Sequence, residues 1–169
     1  MALIDRGGWF VAENATVWGP VSCARGVSIW YGAVVRADMA PISIGEFTNV
    51  QDLCVLHCDP GQDLRIGAHV TIGHMAMVHA RRVGDLCLIG IHAILLNGCE
   101  VGDGCVIGAG ALVREGQKIP PRSIVVGVPG RIIGTVDEAT IEANRERAVR
   151  YYETALRHVA AEAGRAGCA

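Results

Sequence analysis

The chain has 169 residues, enough for one domain with a full hydrophobic core. Glycine, at 22 residues, runs to nearly twice its usual ~7% share, yet hydrophobic residues make up 51% and there is no Gly-X-Y period, which excludes collagen and disorder. A formal net charge of −2 argues against a nucleic-acid partner, whose phosphates need a basic surface, and points to a small or neutral substrate.

In chain order, an aliphatic or similar residue marks Val17, Cys23, Ile29 and Val35, then Ile44, Val50 and Leu56, then Ile66, Ile72 and Val78. It continues at Val83, Ile89, Leu95, Val101, Ile107, Val113, Ile119 and Val125, with a spacing of six nearly throughout. Such a period fits neither an amphipathic helix nor plain strand alternation. It describes a short strand and a turn, with one inward side chain per unit and glycine, as in Ile44-Gly45 and Ile66-Gly67, where the backbone must bend. Three units make one coil of about eighteen residues, so the markers predict an all-β solenoid, a parallel β-helix of about six coils. Residues 1–134 are assigned to it.

After Val125 the pattern stops, and Pro129-Gly130 marks a turn. Residues 135–169 are expected to carry a C-terminal α-helix packed on the flank of the solenoid. Thr135 to Glu138 resembles a capping box, the helix is expected from about Asp137 to Ala163, and Ile141, Ala148, Tyr152, Leu156 and Val159 form its apolar face. The longest uncharged mid-chain stretch, Leu86 to Cys99, is 14 residues and falls short of the ~18 that span a bilayer. A cytoplasmic protein with no membrane partner is therefore expected. Cys23, Cys54, Cys58, Cys87, Cys99, Cys105 and Cys168 are odd in number and lack CxxC spacing, so they read as reduced core thiols.

His69, His92 and His158 read as ordinary surface or core groups. His57 and His79 each follow a marker, and the 22 residues between them are one coil plus a small loop. They are expected one above the other on adjacent coils, at ligand distance for a shared metal. His74 lies five residues before His79 and an odd step points it to the opposite face. It can complete the set only from a neighbouring chain, and flat-sided prisms pack well around a threefold axis, so a homotrimer with metal sites between subunits is expected. Three histidine ligands leave the fourth tetrahedral position for water, whose proton then leaves near pH 7, a chemistry suited to hydration or hydrolysis.

The stretch Ser28 to Asp38, with Ile44-Gly45, Thr48 to Asp52, Val55 to His57 and Val70 to His79, resembles the gamma-class carbonic anhydrase family of hexapeptide-repeat proteins. The likeness covers about residues 10–135. It implies a left-handed winding, a trimer, and hydration of carbon dioxide to bicarbonate at a metal held by His57 and His79 of one chain and His74 of the next. Zinc (Zn2+) is the default, with iron (Fe2+) or cobalt (Co2+) also found in the family. Gln51 would orient the metal-bound hydroxide and Asn49 would line the pocket, while Arg36 and Asp52, with Asp38 nearby, would bridge subunits or serve as an architectural network. The family's proton-shuttle glutamates are missing: Met39 follows Asp38, and the loop Cys58 to Asp63 holds none. Turnover is therefore expected to be slow unless Asp59, Asp63 or buffer accepts the proton. Two other readings are an acyl-CoA acyltransferase or thioesterase, with one histidine as general base, and a non-catalytic trimeric scaffold.

Overall fold

Short strands, most of two or three residues, alternate with tight corners and wind into a three-sided parallel β-solenoid of six coils. This computed structural model describes residues 2–166, with side chains to residue 161; Cys168 lies outside the described residues. The first face is a nine-stranded sheet and the other two have six strands each. Markers of equal phase fall in register from coil to coil. Val35 pairs with Leu56, Leu56 with Val78, Val78 with Leu95 and Leu95 with Val113, and all five are fully buried. Each such side chain contributes about 1.5–3 kcal/mol of burial free energy to an aliphatic column along the axis.

The glycine after a marker serves a purpose other than bending. Gly45 has no left-handed φ, but a Cβ there would lie 2.5 Å from the carbonyl carbon of Gly67 on the next coil. Close stacking of coils excludes the side chain. Left-handed backbone is instead taken at the corners, even by Leu53 and Met75 at φ 61° and 60°.

Both ends depart from the repeat. Leu3–Asp5 folds back antiparallel on Phe10–Ala12, and Arg131–Thr135 folds back antiparallel on Ser123–Val126. These hairpins cover edges that would otherwise present unpaired backbone groups. Thr135 therefore belongs to a strand and not to a capping box. The helix Glu138–Ala166 is capped by Asp137, whose Oδ1 accepts the Thr140 backbone N–H at 2.8 Å.

The helix lies along the nine-stranded sheet. Ala148 and Ala155 are fully buried, and Tyr151 and Tyr152 meet Trp30 and Phe10 at ring distances of 5.6 and 5.8 Å. Leu156, expected on the apolar face, is exposed. Repeated four-residue steps drift off the 3.6-residue period, so the seam passes through Ala155 instead. Asn144, buried in this seam, donates from Nδ2 to the Leu86 carbonyl at 3.2 Å and accepts from Arg147 at 2.6 Å. Among the described residues no helix is long and apolar enough to cross a membrane.

The cysteines of the described residues are free, and five of the six are buried. Burial pushes the Cys99 thiol up to about 12 and the Cys54 thiol up to about 11. Cys58 is buried beside His57 and donates to the Ala40 carbonyl at 3.1 Å. These thiols fill corners of the core.

Candidate metal centre

Leu56 points into the column, so alternation along Val55–His57 turns the next residue, His57, outward. Val78 pairs with Leu56, and His79 leaves the same face one coil on. The two imidazole rings have centroids 5.1 Å apart and a mutual tilt of 31°. His57 Nε2 is hydrogen-bonded to Asp38 Oδ1 at 3.0 Å. Asp59 Oδ1 stands 3.2 Å from His79 Nε2, but without hydrogen-bond alignment, and that nitrogen is buried with no hydrogen-bond partner. An orphaned buried ring nitrogen calls for an explanation.

Asp38 also pairs with Arg36, which lies in register with His57. Partial desolvation raises the Asp38 carboxyl, but the hydrogen bonds from His57 and Arg36 outweigh it and hold the group below its ordinary value.

His74 sits at the preceding corner, with Nδ1 2.8 Å from Asp52 Oδ2. Its backbone N–H donates to Gln51 Oε1 at 3.2 Å, Gln51 Nε2 donates to Asn49 Oδ1 at 3.1 Å, and Asn49 Nδ2 donates to Thr71 Oγ1 at 3.0 Å. Asn49 is fully buried, so it lines no surface of the chain and acts by fixing Gln51. Gln51 and His74 open on a groove of about 500 Å³ that Arg147 and Tyr151 of the helix also border. Burial raises the Tyr151 phenol, which stays protonated at neutral pH.

The chain thus carries two separate constellations. His57 and His79, with Asp38 and Asp59, share one face, while His74, Gln51 and Asp52 share the corner before it. Arg36 and Asp52 are not partners within the chain, since each is engaged in its own constellation. Among the described residues no three ligating side chains converge. The first constellation fits a divalent metal all the same: two imidazoles stand one coil apart, and one buried nitrogen has no hydrogen-bond partner.

The loop after His57 offers Asp59 and Asp63 alike as proton acceptors, and only its irregular path, which spacing does not give, brings Asp59 to His79. Arg147 and Tyr151 were legible only as neighbours on a helix face, with nothing to place them beside His74.

A family profile described as bacterial transferase hexapeptide (six repeats) matches residues 82–115. A Methanocaldococcus jannaschii protein named "Probable carbonic anhydrase" is 45% identical, over 83% of this chain and 89% of that one. The chain belongs to the gamma-class carbonic anhydrase family of hexapeptide-repeat proteins. Gamma carbonic anhydrase 1, mitochondrial, of Arabidopsis thaliana is 38% identical over 91% of this chain and 58% of that one. A solved structure, a hexapeptide transferase family protein from Anaplasma phagocytophilum, superposes with a TM-score of 0.85 at 30% identity over 90% of each chain. Membership in the gamma-class family supports a lyase-type enzyme acting on a small substrate.

Proposed function

We propose that the protein is a metal-dependent carbonic anhydrase, a homotrimer in which His57 and His79 of one chain and His74 of the next hold zinc, with iron(II) or cobalt(II) as alternatives. The observation that carries the reading is the stacked His57–His79 pair, in which the buried His79 Nε2 has no hydrogen-bond partner. The third ligand comes from a neighbour because His74 stands with Gln51 and Asp52 at a different corner. Apolar side chains flank both constellations in the open: Leu53, Met75, Met77, Ile91, Ile94 and Leu96 are all exposed in the single chain, as expected of a surface a second copy covers.

A zinc ion in a three-histidine set supplies Lewis acidity that brings loss of a water proton near pH 7, as hydration of carbon dioxide requires. The chain's residues do the rest. Gln51 arrives with His74, its Oε1 held by the His74 backbone N–H and its Nε2 by Asn49, so its carboxamide is fixed at the edge of the centre. Asp38 orients the His57 ring, and Arg36 orients Asp38. Asp52, beside His74, faces the neighbour's Arg36 across the junction in this arrangement. Asp59 is the carboxylate placed to take a proton where the family uses glutamate, and it lies in an exposed loop next to His79. The free thiols of the described residues suit a reducing compartment such as the cytoplasm.

The acyl-transfer reading draws support from the transferase name of the Anaplasma protein, but it employs one histidine and leaves the second of the stacked pair without a task. Metal analysis of protein purified without chelator tests the reading. About one metal ion per chain, lost in His79→Ala, and carbon dioxide hydration that rises with imidazole buffer are expected. Metal-free protein with acyl-CoA turnover would overturn it.

A further inference from the structure

On the third face of the solenoid, strands Leu64–Ile66, Arg82–Val83 and Glu100–Val101 run side by side, with Arg65 paired to Arg82 and Arg82 to Glu100. Arg65 and Arg82 therefore leave the same face one strand spacing apart, about 4.8 Å. Like charges in directly opposed positions work against a sheet unless something negative lies between them. Asp63, 3.3 Å from Arg65, and Asp103, 2.9 Å from Arg82, offset part of this repulsion from the outer sides, and Glu100 is engaged with Lys118 at 3.4 Å, so no carboxylate pairs with both arginines. Arg81, exposed at the adjoining corner, has no carboxylate partner among the described residues. All three arginines border a single pocket of about 460 Å³, closed on its loop side by Gly61, Asp63 and, across the sheet, Glu100. No Cβ on Gly61 narrows that side, and apart from its two chain neighbours no residue comes within 4 Å of where one would stand.

We propose that this pocket binds a phosphate-class dianion, either inorganic phosphate or the phosphoryl group of a small metabolite. Guanidinium groups present paired N–H donors that match the oxygens of such an anion, and Arg81 contributes a charge with no ion-pair partner among the described residues. Asp63 and Glu100 at the rim lower the positive potential of the three arginines, so a compact dianion, with twice the charge and several oxygens for the paired N–H donors, binds more tightly than a spherical monovalent anion. The residues concerned take no part in the metal centre, so the site stands whether or not carbon dioxide is the substrate.

The test is titration of chelator-treated, metal-free protein with inorganic phosphate and with glycerol phosphate, at constant ionic strength, read by calorimetry and phosphorus NMR line width. Saturable binding is expected with either probe, and chloride should not compete at equal concentration. Arg81→Ala should weaken binding about tenfold, the loss of one charge-assisted contact. Arg65→Lys, which keeps the charge and loses the fork, should weaken it less. Glu100→Gln should tighten it, a gain that misfolding cannot produce. Tighter binding of glycerol phosphate than of phosphate identifies a metabolite as the occupant, and equal binding identifies free phosphate. Absence of saturable binding, or affinities in Arg81→Ala and Glu100→Gln equal to the starting protein, would overturn the proposal.

Discussion

Leu56 and His57 are neighbours on one strand, the first in the aliphatic column and the second at the metal centre, so Leu56→Ala probes how the core holds the site. Leu56 is fully buried between Val35 and Val78, which are themselves fully buried and in register with it. The coils on either side are held by their own backbone ladders and cannot collapse into the space. The substitution should therefore cost about 3–5 kcal/mol, in the upper part of the range for buried leucine truncation. For a chain of this size that lowers the melting temperature by roughly 6–20 °C. Thermal unfolding of metal-free protein followed by circular dichroism measures it, with Leu56→Met as a volume-conserving control expected to cost below about 1.5 kcal/mol. A Leu56→Ala loss no larger than the Leu56→Met loss would refute the packed column beneath His57.

Asn144→Ala should destabilise the protein by about 1–3 kcal/mol, because it strands the buried-side Leu86 carbonyl and frees Arg147. Amide exchange in the helix should quicken while the solenoid stays protected. Hydrogen bonds from Thr140 hold the Asp137 carboxyl below its ordinary value. Its stabilising contribution is therefore complete above about pH 4 and is lost as pH falls through the lower folded-state value. In acid, the helical signal of the starting protein should fall more than that of Asp137→Asn, which keeps a capping oxygen and does not titrate; equal acid losses would remove Asp137 as the cap.

Most of the solenoid could be read from the sequence because each coil obeys one rule: an inward residue every six, with coils about eighteen apart. The same rule put His57 and His79 in register, since their 22-residue separation is one coil and a loop. It fails where the chain stops repeating. The terminal hairpins are antiparallel and carry no six-residue mark, so Thr135, the last residue of the strand Arg131–Thr135, passed for the first residue of a helix cap. Marker glycines looked like bends, because a sequence shows where Cβ is absent but not that Gly67 of the next coil forbids it at Gly45. Asn49 carries a side chain that either a pocket or a core could use, and its burial under Gln51 depends on hydrogen bonds across coils. The nearness of Asp59 to His79 and of Tyr151 to His74 depends on loop path and helix placement, which leave no trace in local spacing.

The central claim is that ligands from two chains meet at one junction, and subunit mixing tests it most directly. Neither His74→Ala nor His79→Ala chains should bind metal alone. After co-refolding in equal amounts, a junction is whole wherever a His74→Ala chain offers His57 and His79 to the His74 of a His79→Ala chain, which happens at about one quarter of junctions in a random trimer. Recovery of metal to about that fraction, with hydration activity in proportion, is the predicted result. A mixture that stays as metal-free as its components, or a His74→Ala protein that binds metal fully by itself, would contradict it.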